Sequence, residues 1–387
     1  MAEPNKPYRI FISAAEPSAD ALCAALINAL RKTSGNFEFA GLGGPKMATA
    51  GCRLLEQTID KAAMAYNAFG KVLHFWKLLG SVKTFLKNNK TDLVIVCDSP
   101  AFNFHVAKTA KKLNIQTVFY VAPQLWAWAP WRIGKLRRSC DKLICILPFE
   151  QDWFKSRDID AVYVGHPLLD ELSPDAGRYK KDYSAFDPKG VKVLLLPGSR
   201  SAEIDTLWKP MQQIALRLKR KYSNLQVTTV ALDEDKKKLL RNRHTVGFNC
   251  NYITGSVTEA AQRADFAIAA SGTATLQVAA VGCPMVVMYQ TSKIMWHLLA
   301  RWLIKTKHLS LVNILAGKEL VREFMPYFDS IDPIVQSIDS MLQNKDKLTQ
   351  LSSELIDLTV PLHSENASEK AAEITARLLK DMNRINA

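Results

Sequence analysis

Short apolar runs recur along the chain, and each of them is followed by a turn and then by a helical pattern. The first half contains RIFIS (9–13), LVIVC (93–97), TVFYV (117–121) and LICIL (143–147), and the second half contains VKVLLL (191–196), QVTTVA (226–231), FAIAA (266–270) and MVVMY (285–289). Near-continuous aliphatic and β-branched runs that alternate with helices predict parallel strands, because helices cover both faces of such a sheet. The pattern therefore predicts an α/β protein with two Rossmann-like, doubly wound sheets.

The segment between the two halves, residues 171–190, is polar and carries two prolines and two glycines, which is typical of a linker between domains. We therefore expect one Rossmann-like domain over residues 1–175 and a second over residues 190–335. Residues 336–387 show helical periodicity, and the last helix has one apolar stripe for packing. That stripe consists of Ala367, Ala371, Ile374 and Leu378. A return of these helices to the N-terminal domain is compatible with the pattern.

The composition adds a strong positive charge to this picture. The 387 residues carry a formal net charge of +14, which favours an acidic partner such as nucleic acid, an anionic membrane face or a phosphorylated substrate. Basic residues are spread over both halves and no nucleic-acid motif is present, so we expect no nucleic-acid partner. The seven cysteines form no CxxC pair and the N-terminus lacks the apolar stretch of a signal peptide, which favours a cytoplasmic protein without a structural metal.

The longest uncharged run, residues 266–292, is long enough to span a bilayer. Gly272, Gly282 and Pro284 interrupt this run, so we interpret it as a strand, a turn, a helix and a second strand. No membrane-spanning segment is therefore expected.

A candidate anion site follows the strand VKVLLL. Pro197 ends this strand, Gly198 allows the backbone to approach a ligand, and a helix begins near Ser201. The free N–H groups at that helix start, together with Arg200, suit a diphosphate. The alternative interpretation is that Ser199 only caps the helix and that the arginine is solvated.

The same construction returns after FAIAA, where Ser271, Gly272 and Thr273 form the turn before a helix. Turns at the carboxyl ends of parallel strands in one sheet face a common crevice. Nucleotide binding by the C-terminal domain is therefore the favoured interpretation. The first strand is followed by SAAEPSAD (13–20) rather than by GxGxxG, which argues against a nicotinamide enzyme.

Two carboxylates in the first half lie where predicted strands end. Asp98 follows LVIVC and Glu16 follows RIFIS, and each suits either a general base for a hydroxyl or an ordinary helix cap.

Further along, residues 122–142 interleave tryptophans with basic residues, a pattern that suits sugar stacking and phosphate binding. A helix with buried tryptophans and a basic solvent face is the alternative interpretation. The residues are Trp126, Trp128, Trp131, Arg132, Lys135, Arg137 and Arg138.

Residues 61–91 contain six lysines and no acid, and their apolar residues recur at helical spacing. This combination is typical of an interfacial helix that binds an anionic membrane surface. An ordinary helix that packs on a core and exposes its lysines is the alternative interpretation. The expected membrane contacts are Phe69, Lys71, Val72, Leu73, Trp76, Lys77 and Leu79. Residues 293–308 repeat the pattern.

Seven segments, taken in order, resemble the lipid A disaccharide synthases, a family of inverting glycosyltransferases. They are SAAEPSAD (13–20), APQLWAWAPWR (122–132), ILPFE (146–150), VGHPLLD (164–170), LLPGSRSAEI (195–204), SGTATLQVAAVGCPMVVMYQ (271–290) and LVNILAGKELV (311–321). The resemblance implies the GT-B architecture, in which two Rossmann-like domains face a central crevice. It also implies transfer of 2,3-diacylglucosamine from UDP to 2,3-diacylglucosamine 1-phosphate, which forms the β-1,6 disaccharide of lipid A and releases UDP.

The family resemblance further implies that the C-terminal domain holds UDP, that the N-terminal domain binds the acceptor, and that no metal or cofactor is required. The implied UDP-binding residues are Gly198, Ser199, Arg200, Ser271, Gly272, Thr273, Gln277 and Asn313. The implied residues of the acceptor site and crevice are Ser18, Asn103, Trp126, Trp128 and Arg132. Because both substrates are acylated and stay in a membrane, the family implies an enzyme at the inner face of the cytoplasmic membrane. A homodimer is left open.

This sequence departs from the family pattern at functionally important positions. The family commonly has Asp-x-Pro-Asp-Phe-Asn where this chain has DSPAFN, so its usual general base corresponds to Ala101. Gln277 replaces the glutamate that typically bonds the ribose hydroxyls, and Ala15 and Ala19 replace two glycines. We therefore expect Asp98 or Glu16 to be the catalytic base. Another GT-B UDP-aminosugar enzyme and a catalytically weakened nucleotide-sugar- or lipid-binding homologue are the alternatives.

Overall fold

The computed structural model describes residues 6–58, 68–170, 172, 175–293, 296, 306–363 and 366–385. The chain divides into two compact units, Met1–Glu171 with Leu362–Ala387, and Leu172–Pro361. Each unit contains one parallel sheet covered by helices. The predicted α/β class with two parallel sheets is confirmed.

The first unit has a seven-stranded sheet with the order β3-β2-β1-β4-β5-β6-β7. Its strands are β1 Tyr8–Ala14, β2 Phe37–Gly43, β3 Arg53–Gln57, β4 Leu93–Cys97, β5 Gln116–Tyr120, β6 Lys142–Cys145 and β7 Ala161–Tyr163. Strand β1 pairs with both β2 and β4. The chain order therefore reverses beside β1, and the carboxyl ends of β1 and β4 flank a topological switch point, where α/β proteins commonly bind ligands.

The helices of the first unit are α1 Pro17–Lys32, α2 Pro45–Thr49, α3 Ala68–Asn88, α4 Pro100–Lys112, α5 Ile133–Arg137, α6 Glu150–Lys155 and α14 Ala367–Ile385. Side chains of β1 alternate between the two faces of the sheet, as strand geometry requires. Ile10 and Ile12 join the core under α1 and α14, whereas Phe11 joins the core under α3, α4 and α5. The last helix of the chain therefore packs on the first unit.

The second unit has a six-stranded sheet with the order β10-β9-β8-β11-β12-β13. Its strands are β8 Lys192–Leu196, β9 Gln226–Ala231, β10 Asn251–Thr254, β11 Phe266–Ala270, β12 Met285–Met288 and β13 Arg322–Phe324. Its helices are α7 Ser201–Lys221, α8 Glu234–Asn242, α9 Val257–Arg263, α10 Ala274–Ala279, α11 Leu311–Ala316, α12 Asp332–Leu342 and α13 Lys345–Thr359. The switch point of this sheet lies between β8 and β11, which pair directly.

All eight strands predicted from apolar runs are present, within two residues of the expected ends. The uncharged run over 266–292 contains β11, α10 and β12, as predicted, and no helix of the described residues is long and apolar enough to cross a membrane. Five strands were not predicted, namely β2, β3, β7, β10 and β13. These strands are short or carry charged and exposed positions, so they lack a continuous apolar run. Helices α12 and α13 belong to the second unit.

Candidate active site

The turn between β4 and α4 is strained. Asp98 and Ser99 both have left-handed backbone conformations, with φ of 52° and 42°. A non-glycine residue in this region costs on the order of 1–3 kcal/mol, so the surrounding structure must support the turn. The side-chain amide of Asn103 provides that support, because its Nδ2 donates to the carbonyl oxygens of Cys97 at 2.9 Å and Asp98 at 2.7 Å.

Asn103 is fully buried, and its Oδ1 accepts a hydrogen bond of 2.7 Å from the Ser13 hydroxyl of β1. Its amide therefore joins the ends of β1 and β4 and is engaged within the protein. A direct contact between Asn103 and the acceptor stays a prediction, whereas its support of the turn is a feature of the structure.

The two candidate bases lie at the ends of neighbouring strands. The Ser99 hydroxyl donates to Oε1 of Glu16 over 3.4 Å, which links the β4–α4 turn to the start of α1. A hydrogen bond with Cys23 and burial raise the pKa of the Cys97 thiol, and the charges of Asp98 and Glu16 add to this shift. Strands β1 and β4 pair in parallel with Ala14 opposite Cys97, so Glu16 and Asp98 follow neighbouring strand ends. The fold brings together the two carboxylates that the sequence leaves as alternatives.

Three further residues lie near the carboxyl edge of the first sheet. Ala101 lies exposed in the first turn of α4, and Ser18 is half-buried in the first turn of α1. Asp20, which the sequence analysis did not single out, is almost fully buried. Its carboxylate accepts backbone hydrogen bonds from Gly44 at 2.8 Å, and from Lys46 and Met47 at 3.0 Å each. The signal was an acid within an apolar helix face, because such an acid requires a hydrogen-bonding partner.

The tryptophan-rich loop after β5 is held by a buried acid that sequence reasoning also missed. Glu150 is 1% exposed, and its Oε1 accepts a 3.0 Å hydrogen bond from the Trp126 indole, while its Oε2 accepts one of 3.2 Å from the Leu147 N–H. Burial raises the pKa of Glu150 to about 7. Val121 and Ala129, towards the two ends of this loop, have left-handed backbones with φ of 71° and 62°. The loop is therefore held in a defined conformation, and the final acid of ILPFE was the available signal.

The three tryptophans of this loop lie in different surroundings. Trp126 is half-buried and directed at Glu150, whereas Trp131 is 59% exposed. The Arg132 guanidinium lies 5.3 Å from the centre of the Trp128 ring, a cation–π contact between two half-buried side chains. This pair offers an aromatic surface and a positive charge at one place.

The β8–α7 turn has the predicted glycine and helix start, but the N–H groups of Ser199 and Arg200, expected to be free for an anion, bond to a protein carboxylate. Gly198 has φ of 100°, and Ser199 and Arg200 are exposed before α7 begins. Oε2 of Glu203 accepts the N–H groups of Ser199 at 3.1 Å and Arg200 at 3.2 Å. Oε1 of the same acid lies 3.4 Å from Nη1 of Arg200. Glu203, which sequence reasoning missed, therefore shapes the turn; an acid three residues after the N-cap was the signal.

The second predicted turn lies beside the first, because β8 and β11 pair in parallel, with Leu196 opposite Ala269. The Ser271 N–H donates to the carbonyl of Met288 at 3.0 Å and thereby extends the pairing of β11 with β12. Gly272 is exposed, and both Thr273 and Gln277 are half-buried. The structure thus places the predicted UDP residues of these two turns at the switch point of one sheet.

Asn313 is fully buried, and its amide is saturated by protein groups. Its Nδ2 donates to the Val321 carbonyl at 2.7 Å and to Oε1 of Glu323 at 2.8 Å. Its Oδ1 accepts the N–H groups of Leu320 at 2.8 Å and Val321 at 2.9 Å. Two donors and two acceptor positions are the full capacity of an asparagine amide. A direct bond from Asn313 to the donor stays a prediction and would require one of these four bonds to break.

The predicted membrane contacts lie on α3. Leu73 and Trp76 are 62% and 56% exposed, Lys77 is exposed, and Leu79 packs half-buried against the core. The side chains of Phe69, Lys71 and Val72 lie outside the described residues, as does most of the segment 293–308. The described part of α3 therefore combines exposed apolar and basic side chains.

Comparison with known proteins decides the family. Residues 10–378 match the family model described as Lipid-A-disaccharide synthetase. The chain belongs to this family. The lipid-A-disaccharide synthase of Psychromonas ingrahamii is 32% identical over 336 residues, which cover 86% of this chain and 88% of that protein. The Myxococcus xanthus lipid-A-disaccharide synthase is 30% identical over 378 residues, which cover 97% of this chain and 98% of that protein.

Solved structures agree with the fold of this lipid-A-disaccharide synthase family member. A UDP-GlcNAc 2-epimerase from Neisseria meningitidis, bound to UDP-GlcNAc, has a TM-score of 0.64 at 11% identity and covers 96% of this chain and 100% of its own. The calicheamicin glycosyltransferase CalG4 has a TM-score of 0.62 at 12% identity, and the match covers 96% of this chain and 98% of CalG4. These likenesses show the GT-B fold. The predicted family, fold class and assignment as a glycosyltransferase are confirmed.

Proposed function

We propose that this synthase transfers 2,3-diacylglucosamine from its UDP donor to 2,3-diacylglucosamine 1-phosphate and releases UDP. The family match over residues 10–378 is the observation that carries the proposal. In the transfer, the acceptor's 6-oxygen forms a bond to C1 of the donor sugar while the bond from C1 to the diphosphate breaks. The electron pair leaves with UDP, and the 6-hydroxyl proton passes to a carboxylate.

We assign the proton-accepting role to the pair of carboxylates at the ends of β1 and β4. Asp98 and Glu16 follow the ends of paired strands, and the Ser99–Glu16 hydrogen bond connects their two segments. Ala101 has no titratable group, so a base must come from elsewhere in this chain. The strained turn at Asp98 supports a functional role, since backbone strain is often retained at active sites.

For the donor, we propose that the β8–α7 and β11–α10 turns hold the diphosphate of UDP. Arg200 is exposed at the start of a long helix, where its guanidinium suits phosphate oxygens, and a bound diphosphate would take the place of the Glu203 carboxylate on the Ser199 and Arg200 N–H groups. Ser271, Gly272 and Thr273 lie at the neighbouring strand end. Gln277 would bond the ribose hydroxyls through its amide, which both donates and accepts.

For the acceptor, we propose that the Trp128–Arg132 pair receives the phosphorylated sugar, with the ring stacking on the sugar and the guanidinium binding the phosphate. The acyl chains of the substrates stay in a bilayer, so the enzyme works at its surface. Exposed Leu73 and Trp76, together with Lys77, support membrane contact through α3 at the inner face of the cytoplasmic membrane.

The decisive experiment incubates the purified protein in detergent with UDP-2,3-diacylglucosamine and 2,3-diacylglucosamine 1-phosphate. We expect UDP and a tetraacyl disaccharide phosphate, detected by mass spectrometry. Unacylated UDP-glucosamine serves as the matched donor control and should give little product. Preference for the unacylated donor would identify another UDP-aminosugar enzyme, and UDP binding without UDP release would identify a binding homologue.

A further inference from the structure

Exposed large apolar side chains of the first unit occur on two elements that cover the same side of its sheet. In the described part of that unit they are Leu73, Trp76 and Trp131, which are 62%, 56% and 59% exposed. Leu73 and Trp76 belong to α3, but Trp131 lies in a short 3₁₀ turn, Pro130–Arg132, that leads into α5. Two exposed tryptophans are uncommon on a soluble surface, so their common location requires an explanation.

Ring and cation contacts connect the two elements through α4. The Trp76 ring lies 5.8 Å from the ring of His105, centre to centre. The next residue along the chain, Phe104, has Nζ of Lys135 4.7 Å from its ring centre. Helices α3, α4 and α5 also pack on the same side of the sheet. The segment from Pro130 to Arg138 therefore lies beside α4, which also contacts α3, on one side of the sheet.

This face carries a concentration of positive charge. Burial and then the charges of Lys135 and Lys108 lower the pKa of His105. Burial and then the charges of Arg132 and Lys108 lower the pKa of Lys135. Lys135 thus lies in the positive potential of Arg132 and Lys108, and that potential favours an anion.

We propose that the segment 130–138 is a second membrane-contacting element, which joins α3 in one docking surface for an anionic phospholipid bilayer. Trp131 lies at the level of the headgroups, where tryptophan is enriched, while Lys108 and Lys135 neutralise lipid phosphates. The inference rests on the proposed membrane contact of α3 and extends it. Trp128 lies two residues before this segment and Arg132 lies within it, so the acceptor loop lies next to the bilayer that supplies its substrate.

Vesicle co-sedimentation of the full chain, without sugar substrates, tests this surface. The wild-type protein should bind vesicles of phosphatidylcholine with phosphatidylglycerol and bind phosphatidylcholine alone far less. The double variant Lys108→Gln with Lys135→Gln should bind the anionic vesicles about 30-fold more weakly, because each basic residue near the surface contributes about 1 kcal/mol. Trp131→Ala should weaken binding about tenfold through lost apolar contact.

The matched control replaces two exposed lysines on the opposite side of the sheet, Lys32 of α1 and Lys380 of α14, with glutamine. It removes the same charge and should bind within about twofold of the wild type. Equal losses in the control and in the Lys108/Lys135 variant would show a general charge effect and overturn the proposal. Thermal unfolding of each variant verifies that it is folded.

A Leu73→Ser variant separates this inference from the proposed function. If Leu73→Ser weakens vesicle binding and the variants of Trp131 and Lys135 do not, the α3 contact stands and the second element is overturned. If no variant weakens binding, the membrane contact itself fails. Because the assay contains no sugar substrate, a failure of transferase activity is read separately in the detergent assay. Binding to acidic protein or nucleic acid in place of anionic vesicles would also overturn the proposal.

Discussion

A Cβ atom on Gly198 would lie 2.2 Å from Oε2 of Glu203. The same oxygen accepts the backbone N–H groups of Ser199 and Arg200, so it shapes the turn that we assign to the diphosphate. The φ of 100° at Gly198 is also outside the range that side chains tolerate. Glycine is thus required here both by the backbone conformation and by the acid that occupies the adjacent space.

Replacement of Gly198 by alanine should raise the KM for the UDP-sugar about tenfold or more, because strain on the order of 1–3 kcal/mol and displacement of Glu203 distort the turn. Steady-state kinetics with varied donor measure this effect. Gly190→Ala is the matched control, since a Cβ at Gly190 meets nothing within 4 Å. If the KM for the donor is unchanged in Gly198→Ala, the β8–α7 turn is not part of the donor site.

Asp98→Asn and Glu16→Gln distinguish the two candidate bases. The variant that removes the base should lose about 10²- to 10⁴-fold in kcat, the typical contribution of general-base catalysis. The other variant should retain most turnover. The control is Glu38→Gln, an exposed acid of β2. Full turnover in both single variants would exclude this carboxylate pair.

Asn313→Ala should destabilise the second unit by about 3 kcal/mol, because it removes the four hydrogen bonds that a fully buried amide makes. The groups affected are the N–H groups of Leu320 and Val321, the Val321 carbonyl and the Glu323 carboxylate. Urea unfolding measures the change, and Asn224→Ala at an exposed position is the control. A loss of donor binding at unchanged stability would instead indicate a direct ligand contact.

Glu150 should make stability depend on pH. Burial raises its pKa in the folded protein from 4.5 to about 7, so the folded state binds this proton more tightly than the unfolded state. The contribution of this group to the free energy of unfolding is therefore greatest below the unfolded-state pKa of 4.5. It falls as pH rises from there through about 7, by roughly 3 kcal/mol in total.

Urea unfolding across this pH range measures the slope of stability against pH. Glu150→Gln should remove the part of the slope that this carboxyl contributes, whereas Glu259→Gln, at an exposed position, should preserve it. Identical slopes in the wild type and in Glu150→Gln would contradict the raised pKa. Glu150→Gln also changes the hydrogen bond from the Trp126 indole. That change should alter the free energy of unfolding by the same amount at every pH.

Prediction from the sequence succeeded where the signal is local. Strands such as β4 and β11 are continuous apolar runs, because both faces of a parallel sheet are covered. Strand β2 was missed because FEFAGLG contains an exposed acid and two glycines, and its pairing with β1 compensates for these unfavourable residues. Strand β13 is only three residues long, which is too short for any period to appear.

The candidate site divides in the same way. The sequence predicted the turns at Gly198 and Ser271, because a glycine or hydroxyl after an apolar run is visible along the chain, and the structure has both turns at strand ends. The family resemblance implied ligand roles for Asn103 and Asn313; the structure shows both amides bonded to protein groups, and a direct ligand contact of either stays a prediction. Residue type indicates that an amide needs partners, but it does not indicate whether those partners are protein or ligand.

By itself, the sequence determined the α/β class, most strands of the two sheets, the family and the turns at the strand ends, since each depends on the order of neighbouring residues. Only the tertiary structure decided which groups meet. Trp126 bonds to Glu150 across 24 residues, and Ser13 bonds to Asn103 across 90. A hydrogen bond depends on distance and direction in space, and the path of the chain through the sheets sets both.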